Sequence, residues 1–318
     1  MYPDIDMGVM ILVYEILREI AARPKAQKET VDYLAEQMSV FVKKMDTVLI
    51  CLPQQGNSSL SHVMEQAVLQ CNANPVVWGE DHRWKSLLRL AFSTRASTII
   101  STPLILLGLA KLQAYYSIPL YVRNVVTTGY PCEEWMLEGI RRGLDCTPHG
   151  CFCMGTTSVL AGFSCQKVYG IHVRDSAYRV EIVDSAGNTL PEGFEGEVVL
   201  SPLSAPEFRY YMGENAVLHT GTCACGSRHP LLTNMHPGRT EADPDLFALG
   251  KTLQSWNSVL DCRLRKGIYG LEIEIVTLPG GRLPKLPSAA KRQIRVFDPE
   301  TDEPLPYDPS QKIPEKQG

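Results

Sequence analysis

The chain has 318 residues, of which 44% are hydrophobic and 21% charged, and its formal net charge is −4 at pH 7. This composition is typical of a globular protein with a large buried core, and it excludes the collagen, coiled-coil and disordered classes. The slightly acidic charge disfavours nucleic acid and anionic membranes as partners.

Two amphipathic segments, at residues 9–22 and 28–44, are predicted to be helices that cover a sheet. Four β-α units follow them. The predicted strands are residues 47–52, 75–78, 97–101 and 121–127, and the predicted helices are residues 58–73, 82–92, 103–116 and 133–143. Because parallel strands need crossover helices, this pattern predicts an α/β fold with a mostly parallel sheet flanked by helices, over residues 1–164.

The pattern changes after residue 164. Residues 165–240 contain alternating strands at 178–184 and 196–200 with glycines at the bends, which predicts a β-rich subdomain. Residues 241–298 are predicted to form a reduced C-terminal α+β piece, whose basic residues we expect on a solvated face. Residues 299–318 carry five prolines and many charges, so we predict a disordered or loosely docked tail.

The N-terminal residues do not have the pattern of an export signal. Residues 1–20 include Asp4, Asp6, Glu15 and Glu19, whereas a signal peptide is basic and then uniformly apolar. Uninterrupted apolar runs also stay shorter than the roughly 18 residues that a membrane span needs. We therefore expect a cytoplasmic protein that does not bind membranes.

The chain contains ten cysteines. A cytoplasmic protein of this length does not need disulfides for stability, so we expect these cysteines to be reduced thiols or metal ligands. Cys165, His172, Cys223 and Cys225 offer three thiolates and one imidazole, the ligand set of a tetrahedral zinc ion. Four protein ligands would close the coordination shell, so the site would be structural. The alternative is a set of buried thiols and one hydrogen-bonded histidine, and the spacing does not decide between them.

A second group, Cys146, His149, Cys151 and Cys153, is less suited to a metal. Four ligands within eight residues do not easily surround one ion on an extended segment. We interpret these cysteines as reduced thiols of the core or of a loop.

Several motifs over residues 47–239 resemble the phenylacetate-CoA ligase family of adenylate-forming enzymes, which includes the coenzyme F-390 synthetases. The motifs are Gly170-Ile-His172, Glu195-Gly-Glu-Val-Val-Leu200, Arg209-Tyr210, Cys223-Ala-Cys-Gly226 and Gly238-Arg239. In zinc-containing members of that family a Cys, a His and a Cys-x-Cys pair bind the metal. The resemblance implies that Cys165, His172, Cys223 and Cys225 do so here.

The same resemblance implies a reaction and a nucleotide site. Enzymes of this family use ATP and Mg²⁺ to form an acyl-adenylate and then transfer the acyl group to CoA. The positions that would contact ATP or AMP are Gly129, Pro131, Met154, Gly155, Thr156, Thr157, Glu214 and Arg239.

Three departures from the family pattern weaken the expectation of ligation. Residues 21–44 contain no glycine, although the phosphate-binding loop is expected before the first strand. Ser158 occupies the position of the magnesium-binding acid, and Ala289 occupies that of the catalytic lysine, with Lys291 two residues further on. Without these groups, charge at the reacting phosphorus is poorly stabilised.

We therefore expect a divergent, shortened relative with impaired ATP-dependent ligation. It would bind an acyl, CoA or nucleotide ligand, or a partner protein in a homo- or hetero-oligomer. The alternative is a functional ligase that activates an aryl or fatty carboxylate with ATP and Mg²⁺.

Overall fold

The computed structural model of the protein describes residues 23–52, 59–78, 83–129, 132–153, 159–167, 169–238, 244–267, 270–286, 291–298 and 301–302. The helix predicted at residues 9–22 lies outside these ranges. Every helix in the described part of the chain is too short or too polar to cross a bilayer.

Helices alternate with strands in the first half, as predicted. The helices are α1 (Pro24–Ser39), α2 (Leu60–Gln70), α3 (Trp84–Ser93), α4 (Pro103–Tyr116), α5 (Glu134–Leu144) and, near the end of the chain, α6 (Pro244–Ser255). Ser59 caps α2 because its side chain accepts a hydrogen bond from the backbone N–H of His62. Pro103 begins α4, where the missing N–H of proline costs nothing.

One large mixed sheet contains eleven strands of the described chain. They are β1 (Thr47–Cys51), β2 (Asn74–Val77), β3 (Thr98–Ser101), β4 (Asn124–Thr127), β5 (Thr147–Cys153), β6 (Leu160–Ser164), β7 (Ile171–Val173), β8 (Tyr178–Val183), β9 (Glu195–Pro202), β10 (Tyr210–His219) and β11 (Leu231–Pro237). Their order is β2-β1-β3-β4-β5-β6-β7-β11-β10-β9-β8.

The sheet changes from parallel to antiparallel at β5. All pairs from β2 to β5 are parallel, which confirms the prediction for the first half. The pairs from β5 to β8 are antiparallel, so the β-rich region continues the same sheet. The sheet as a whole is therefore mixed, and the division of the chain at residues 164 and 240 stays a prediction.

Apolar side chains cover both faces of the parallel half. Because side chains alternate along a strand, Val125 of β4 packs on the face covered by α3, α4 and α5, whereas Val126 packs on the face covered by α1 and α2. The antiparallel half has a cluster of its own, which includes Ile182, Val198 and Leu232.

The C-terminal region forms a second sheet, with β12 (Val259–Gly267), β13 (Gly270–Thr277) and β14 (Lys291–Val296) in that order. Side chains of this region pack in the hydrophobic cluster that α3, α4 and α5 cover. Phe297, which follows β14, is 1% exposed there, and Trp84 of α3 is 0% exposed. Lys111 of α4 also donates hydrogen bonds from Nζ to the carbonyls of Gln254 and Val259, at 2.7 and 2.6 Å. The C-terminal sheet thus packs against the main core through residues such as Leu260 and Val276, and it has a cluster of its own that includes Leu253 and Ile273.

Asp302 attaches the start of the predicted tail to α3. Its carboxylate accepts hydrogen bonds from the backbone N–H groups of Lys85 and Ser86 and from the Ser86 hydroxyl. These N–H groups belong to the first turn of the helix and have no partner within it. Residues 301–302 are therefore docked, and the disordered or loosely docked tail expected for residues 299–318 stays a prediction. Residues 303–318 lie outside the described ranges.

Candidate metal and nucleotide sites

The structure brings the four predicted metal ligands together. Cys165 follows β6, His172 belongs to β7, and Cys223 and Cys225 follow β10. Their ligand atoms, three sulfurs and one imidazole nitrogen, all lie within 4.8 Å of one another. Cys165 Sγ lies 3.6 Å from Cys223 Sγ, and His172 Nε2 lies 3.2 Å from Cys225 Sγ. A tetrahedral zinc ion with zinc-sulfur bonds of about 2.3 Å separates its ligand atoms by roughly 3.5 to 3.8 Å. The dimensions and chemistry of this cluster therefore fit zinc.

A tight turn presents Cys223 and Cys225 to the same point. The N–H of Cys223 donates to the carbonyl of Ser227, and the N–H of Gly226 donates to that of Cys223, both at 2.8 Å. Gly226 has a φ of +89°, which agrees with the left-handed conformation expected for it. The backbone N–H of Cys225 lowers the pKa of the Cys223 thiol, which favours the thiolate that binds metals.

His172 is oriented by a hydrogen bond on the ring nitrogen that faces away from the sulfurs. With Nε2 facing Cys225, Nδ1 donates to the carbonyl of His229 at 3.1 Å. Such a bond fixes the tautomer that leaves Nε2 free to bind a metal. His229 itself lies 2.7 Å from Asp175, measured from Nδ1 to Oδ1. The hydrogen bond from His172 to the His229 carbonyl could not be predicted from the sequence, because every residue has a backbone carbonyl.

The second cysteine group is not assembled as a metal site. The Cys146 thiol points at the carbonyl of Ile140, 3.9 Å away, and the His149 ring stacks on Phe41 with centroids 3.9 Å apart. Cys151 and Cys153 are buried in the cluster covered by α1 and α2. Among the described residues, Cys165, His172, Cys223 and Cys225 form the one group of three or more metal-ligating side chains whose ligand atoms lie within 4.8 Å of one another.

The predicted nucleotide site lies at the carboxyl ends of β4 and β5. Gly129 follows β4 with a φ of +84°. The preceding Thr128 is fully buried, and its hydroxyl lies 2.8 Å from the thiol of Cys153, the last residue of β5. In open α/β sheets, ligands bind at this end of parallel strands.

Glu214 of β10 reaches the same region and is buried. It is 9% exposed, and its Oε2 has no hydrogen-bond partner among the described residues. Burial, followed by the proximity of Cys153 and Glu197, raises its pKa to about 8. A buried carboxyl oxygen without a donor is costly, and a ligand hydroxyl would supply the missing donor.

The other predicted nucleotide contacts lie outside the described residues. They are Pro131, Met154, Gly155, Thr156, Thr157 and Arg239. Ser158, which occupies the position of the magnesium-binding acid, also lies outside.

No family model and no curated protein matches the sequence. Among solved structures, the chain is similar to a 2-hydroxyisobutyryl-CoA ligase bound to 2-HIB-AMP, with 13% identity, a TM-score of 0.66, and coverage of 88% of this chain and 68% of that one. It is also similar to the amide bond synthetase McbA from Marinactinospora thermotolerans, with 16% identity, a TM-score of 0.51, and coverage of 84% and 62%.

A benzoate CoA ligase from Burkholderia xenovorans is similar at 12% identity and a TM-score of 0.51, with coverage of 85% of this chain and 62% of that one. At these identities the likeness shows the fold. The chain shares the fold of these three enzymes, and it spans less than two thirds of the length of the synthetase and of the benzoate ligase.

Proposed function

From the fold that it shares with adenylate-forming CoA ligases, we propose that this protein binds an adenine nucleotide at the carboxyl ends of β4 and β5. A structural zinc ion, held by Cys165, His172, Cys223 and Cys225, stabilises its β-rich region. The bound ligand is the nucleotide itself or a molecule that contains it, such as an acyl-adenylate or CoA. ATP-dependent ligation of a carboxylate is impaired. We assign the protein to a divergent branch that resembles the phenylacetate-CoA ligases.

The zinc assignment is supported by four ligand atoms within 4.8 Å and by the hydrogen bond from His172 to the His229 carbonyl. When bound, the ion would cross-link the β6-β7 connection to the turn after β10. Because four protein side chains complete the tetrahedron, no coordination position remains for a water or a substrate. The role of the metal is therefore structural.

The single observation that carries the nucleotide assignment is the unpartnered oxygen of buried Glu214. The 2′ and 3′ hydroxyls of a ribose are donors that a carboxylate can accept together. Gly129, which has no side chain, leaves room for a base or sugar at the neighbouring strand end. The similar structure of 2-hydroxyisobutyryl-CoA ligase holds 2-HIB-AMP, which carries such a ribose.

Replacing Glu214 with glutamine should weaken AMP binding about tenfold or more at pH 9, where the carboxyl is mostly ionised, because a hydrogen bond to a charged group is lost. AMP binding by the wild type should tighten about tenfold between pH 7 and pH 9, because the bound hydroxyls favour the carboxylate of a group whose pKa is near 8. Titration calorimetry of zinc-loaded protein at these two pH values measures both effects.

Glu195→Gln provides a matched control, since Glu195 is exposed on β9 and lies 3.2 Å from His236. Its AMP affinity and pH dependence should equal those of the wild type. Equal affinities of wild type and Glu214→Gln, or a pH dependence retained in Glu214→Gln, would rule out Glu214 as the ribose carboxylate.

Ligation is not part of the proposed function because two reacting positions carry unsuitable side chains. Ser158 offers Mg²⁺ a neutral hydroxyl where the resembling family has a carboxylate, and Ala289 lacks the amine of the family lysine. The alternative function, a working ligase of an aryl or fatty acid, is favoured by the retained fold and by Glu214. The two functions differ in whether the protein transfers AMP to a carboxylate.

A further inference from the structure

The three cysteines of the proposed zinc site lie near the surface of the protein. Cys165, Cys223 and Cys225 are half-buried, and neighbours of theirs in the chain, Gln166 and Ala224, are exposed. The segments that carry these cysteines lie outside the strands, after β6 and after β10. A small oxidant in solution can therefore reach their sulfurs.

The other seven cysteines are protected from oxidation by burial. A thiol that binds zinc is deprotonated, and the thiolate is the form that reacts with oxidants. Burial raises the pKa of six of the seven thiols, so that they stay protonated at pH 7; these are Cys51, Cys71, Cys132, Cys146, Cys151 and Cys262. The seventh, Cys153, is 5% exposed. Oxidation is therefore directed to the zinc ligands.

Among the three ligand sulfurs, those of Cys165 and Cys223 are placed to join. Their Sγ atoms lie 3.6 Å apart, so a movement of roughly 1.5 Å brings them to the disulfide bond length of about 2.05 Å. The Sγ of Cys225 instead faces His172 Nε2, at 3.2 Å. Cys225 also shares one tight turn with Cys223, which opposes a bond between those two.

The turn that carries Cys223 has room for this movement. Gly221 and Gly226 stand at its two ends, with φ of +96° and +89°. Among the described residues, chain neighbours apart, no heavy atom lies within 4 Å of the position that a Cβ would take at either glycine. Cys165 lies in the β6-β7 connection, where its N–H donates to the carbonyl of Gly170. Both cysteines can therefore shift without breaking a strand pair.

We propose that Cys165 and Cys223 form a redox-sensitive pair, which a peroxide converts from zinc ligands into a disulfide. This inference rests on the proposed zinc site. One thiolate attacks a peroxide oxygen, the O–O bond breaks, and a sulfenic acid and a hydroxide result. The other thiolate attacks the sulfenic sulfur, so that an S–S bond forms, the S–O bond breaks and a second hydroxide leaves. The two sulfurs give two electrons to the peroxide, and protons from the solvent convert both hydroxides to water.

Oxidation exchanges one cross-link for another. Cys225 and His172 remain as two ligands, which are too few for a site that uses four. The disulfide joins the same two segments as the metal, from cysteines that are 58 residues apart in the sequence. The β-rich region thus stays tied when zinc is lost, and a dithiol that reduces the disulfide restores the ligands.

Hydrogen peroxide added to zinc-loaded wild type tests this proposal. We expect release of about one zinc per chain, measured with a chromogenic chelator, at the same rate as the loss of two of the ten thiols. Tandem mass spectrometry of the alkylated and digested protein should show Cys165 joined to Cys223, with Cys225 alkylated. Cys71→Ser is the matched control and should respond like the wild type, because the Cys71 thiol contacts the Ala35 carbonyl and is not a ligand.

Thermal unfolding tests whether the disulfide replaces the ion. The oxidised, zinc-free wild type should unfold at a higher temperature than the same protein reduced and treated with a chelator, because a disulfide constrains the unfolded chain. Cys165→Ser should show no such difference. Equal unfolding temperatures of the two wild-type forms would overturn the exchange of cross-links.

The outcomes for this proposal and for the zinc site are distinct. Zinc release with a bond between Cys223 and Cys225, or peroxide treatment that leaves both zinc and thiols in place, would overturn the redox pair and leave the zinc site standing. A wild type that contains no zinc before treatment would overturn both.

Discussion

Replacing Cys223 with serine is expected to remove the metal and to lower the stability of the protein by several kcal/mol, the largest effect of any single change considered. Structural zinc contributes folding free energy directly, about 10 to 16 kcal/mol in isolated zinc-finger peptides. Here a bound ion would join the segment around Cys165 and His172 to the turn at Cys223, and 58 residues separate Cys165 from Cys223 in the sequence. Loss of one sulfur therefore releases both segments.

Elemental analysis and thermal unfolding check this prediction. The wild type, purified without added zinc, should contain about one zinc per chain, and the Cys223→Ser variant far less. Cys71→Ser is the matched control, because Cys71 is a half-buried thiol whose Sγ contacts the carbonyl of Ala35 and not the cluster. A zinc content that is the same in Cys223→Ser and in the wild type would show that the ligand assignment is wrong.

Replacing Phe297 with alanine is expected to destabilise the whole protein by about 3 to 5 kcal/mol, since it leaves a cavity in the main core. Phe297 is 1% exposed and packs in the same cluster as Trp84 and Leu260. Because the C-terminal sheet shares this core, it should unfold together with the α/β region in one transition.

Urea unfolding followed by tryptophan fluorescence and by far-ultraviolet circular dichroism measures this effect. Val296→Ala is the neighbouring control, since Val296 is 57% exposed and its truncation should change stability little. Two separate transitions in the wild type, or equal stability of Phe297→Ala and Val296→Ala, would contradict the shared core.

The sequence predicts the α/β half of this fold well because its signals are local. Helical spacing of apolar residues defines α4 at its observed bounds, and the succession of strands and helices implies the parallel pairing of β1 to β5. The pairing of the β-rich strands with that same sheet depends on contacts between distant residues. Periodicity does not report such contacts.

The candidate sites were predictable in part for a related reason. Residue type suggests, and the family resemblance implies, that the metal ligands are Cys165, His172, Cys223 and Cys225, and the structure adds the distances between them. The buried, unpartnered state of Glu214 follows from packing around it, which one sequence does not contain. The docking of Asp302 on α3 has the same origin, because the N–H groups of Lys85 and Ser86 that it binds lie 217 and 216 residues earlier in the sequence.

The measurement that tests the account most directly is carboxylate-dependent exchange of pyrophosphate into ATP, made on zinc-loaded protein that binds AMP. With Mg²⁺ and a panel of aryl and fatty acids, the account predicts no exchange above a control without protein, while AMP binds at one equivalent. Exchange that depends on any of these acids would contradict impaired ligation and would establish the protein as a working acyl-adenylate-forming enzyme.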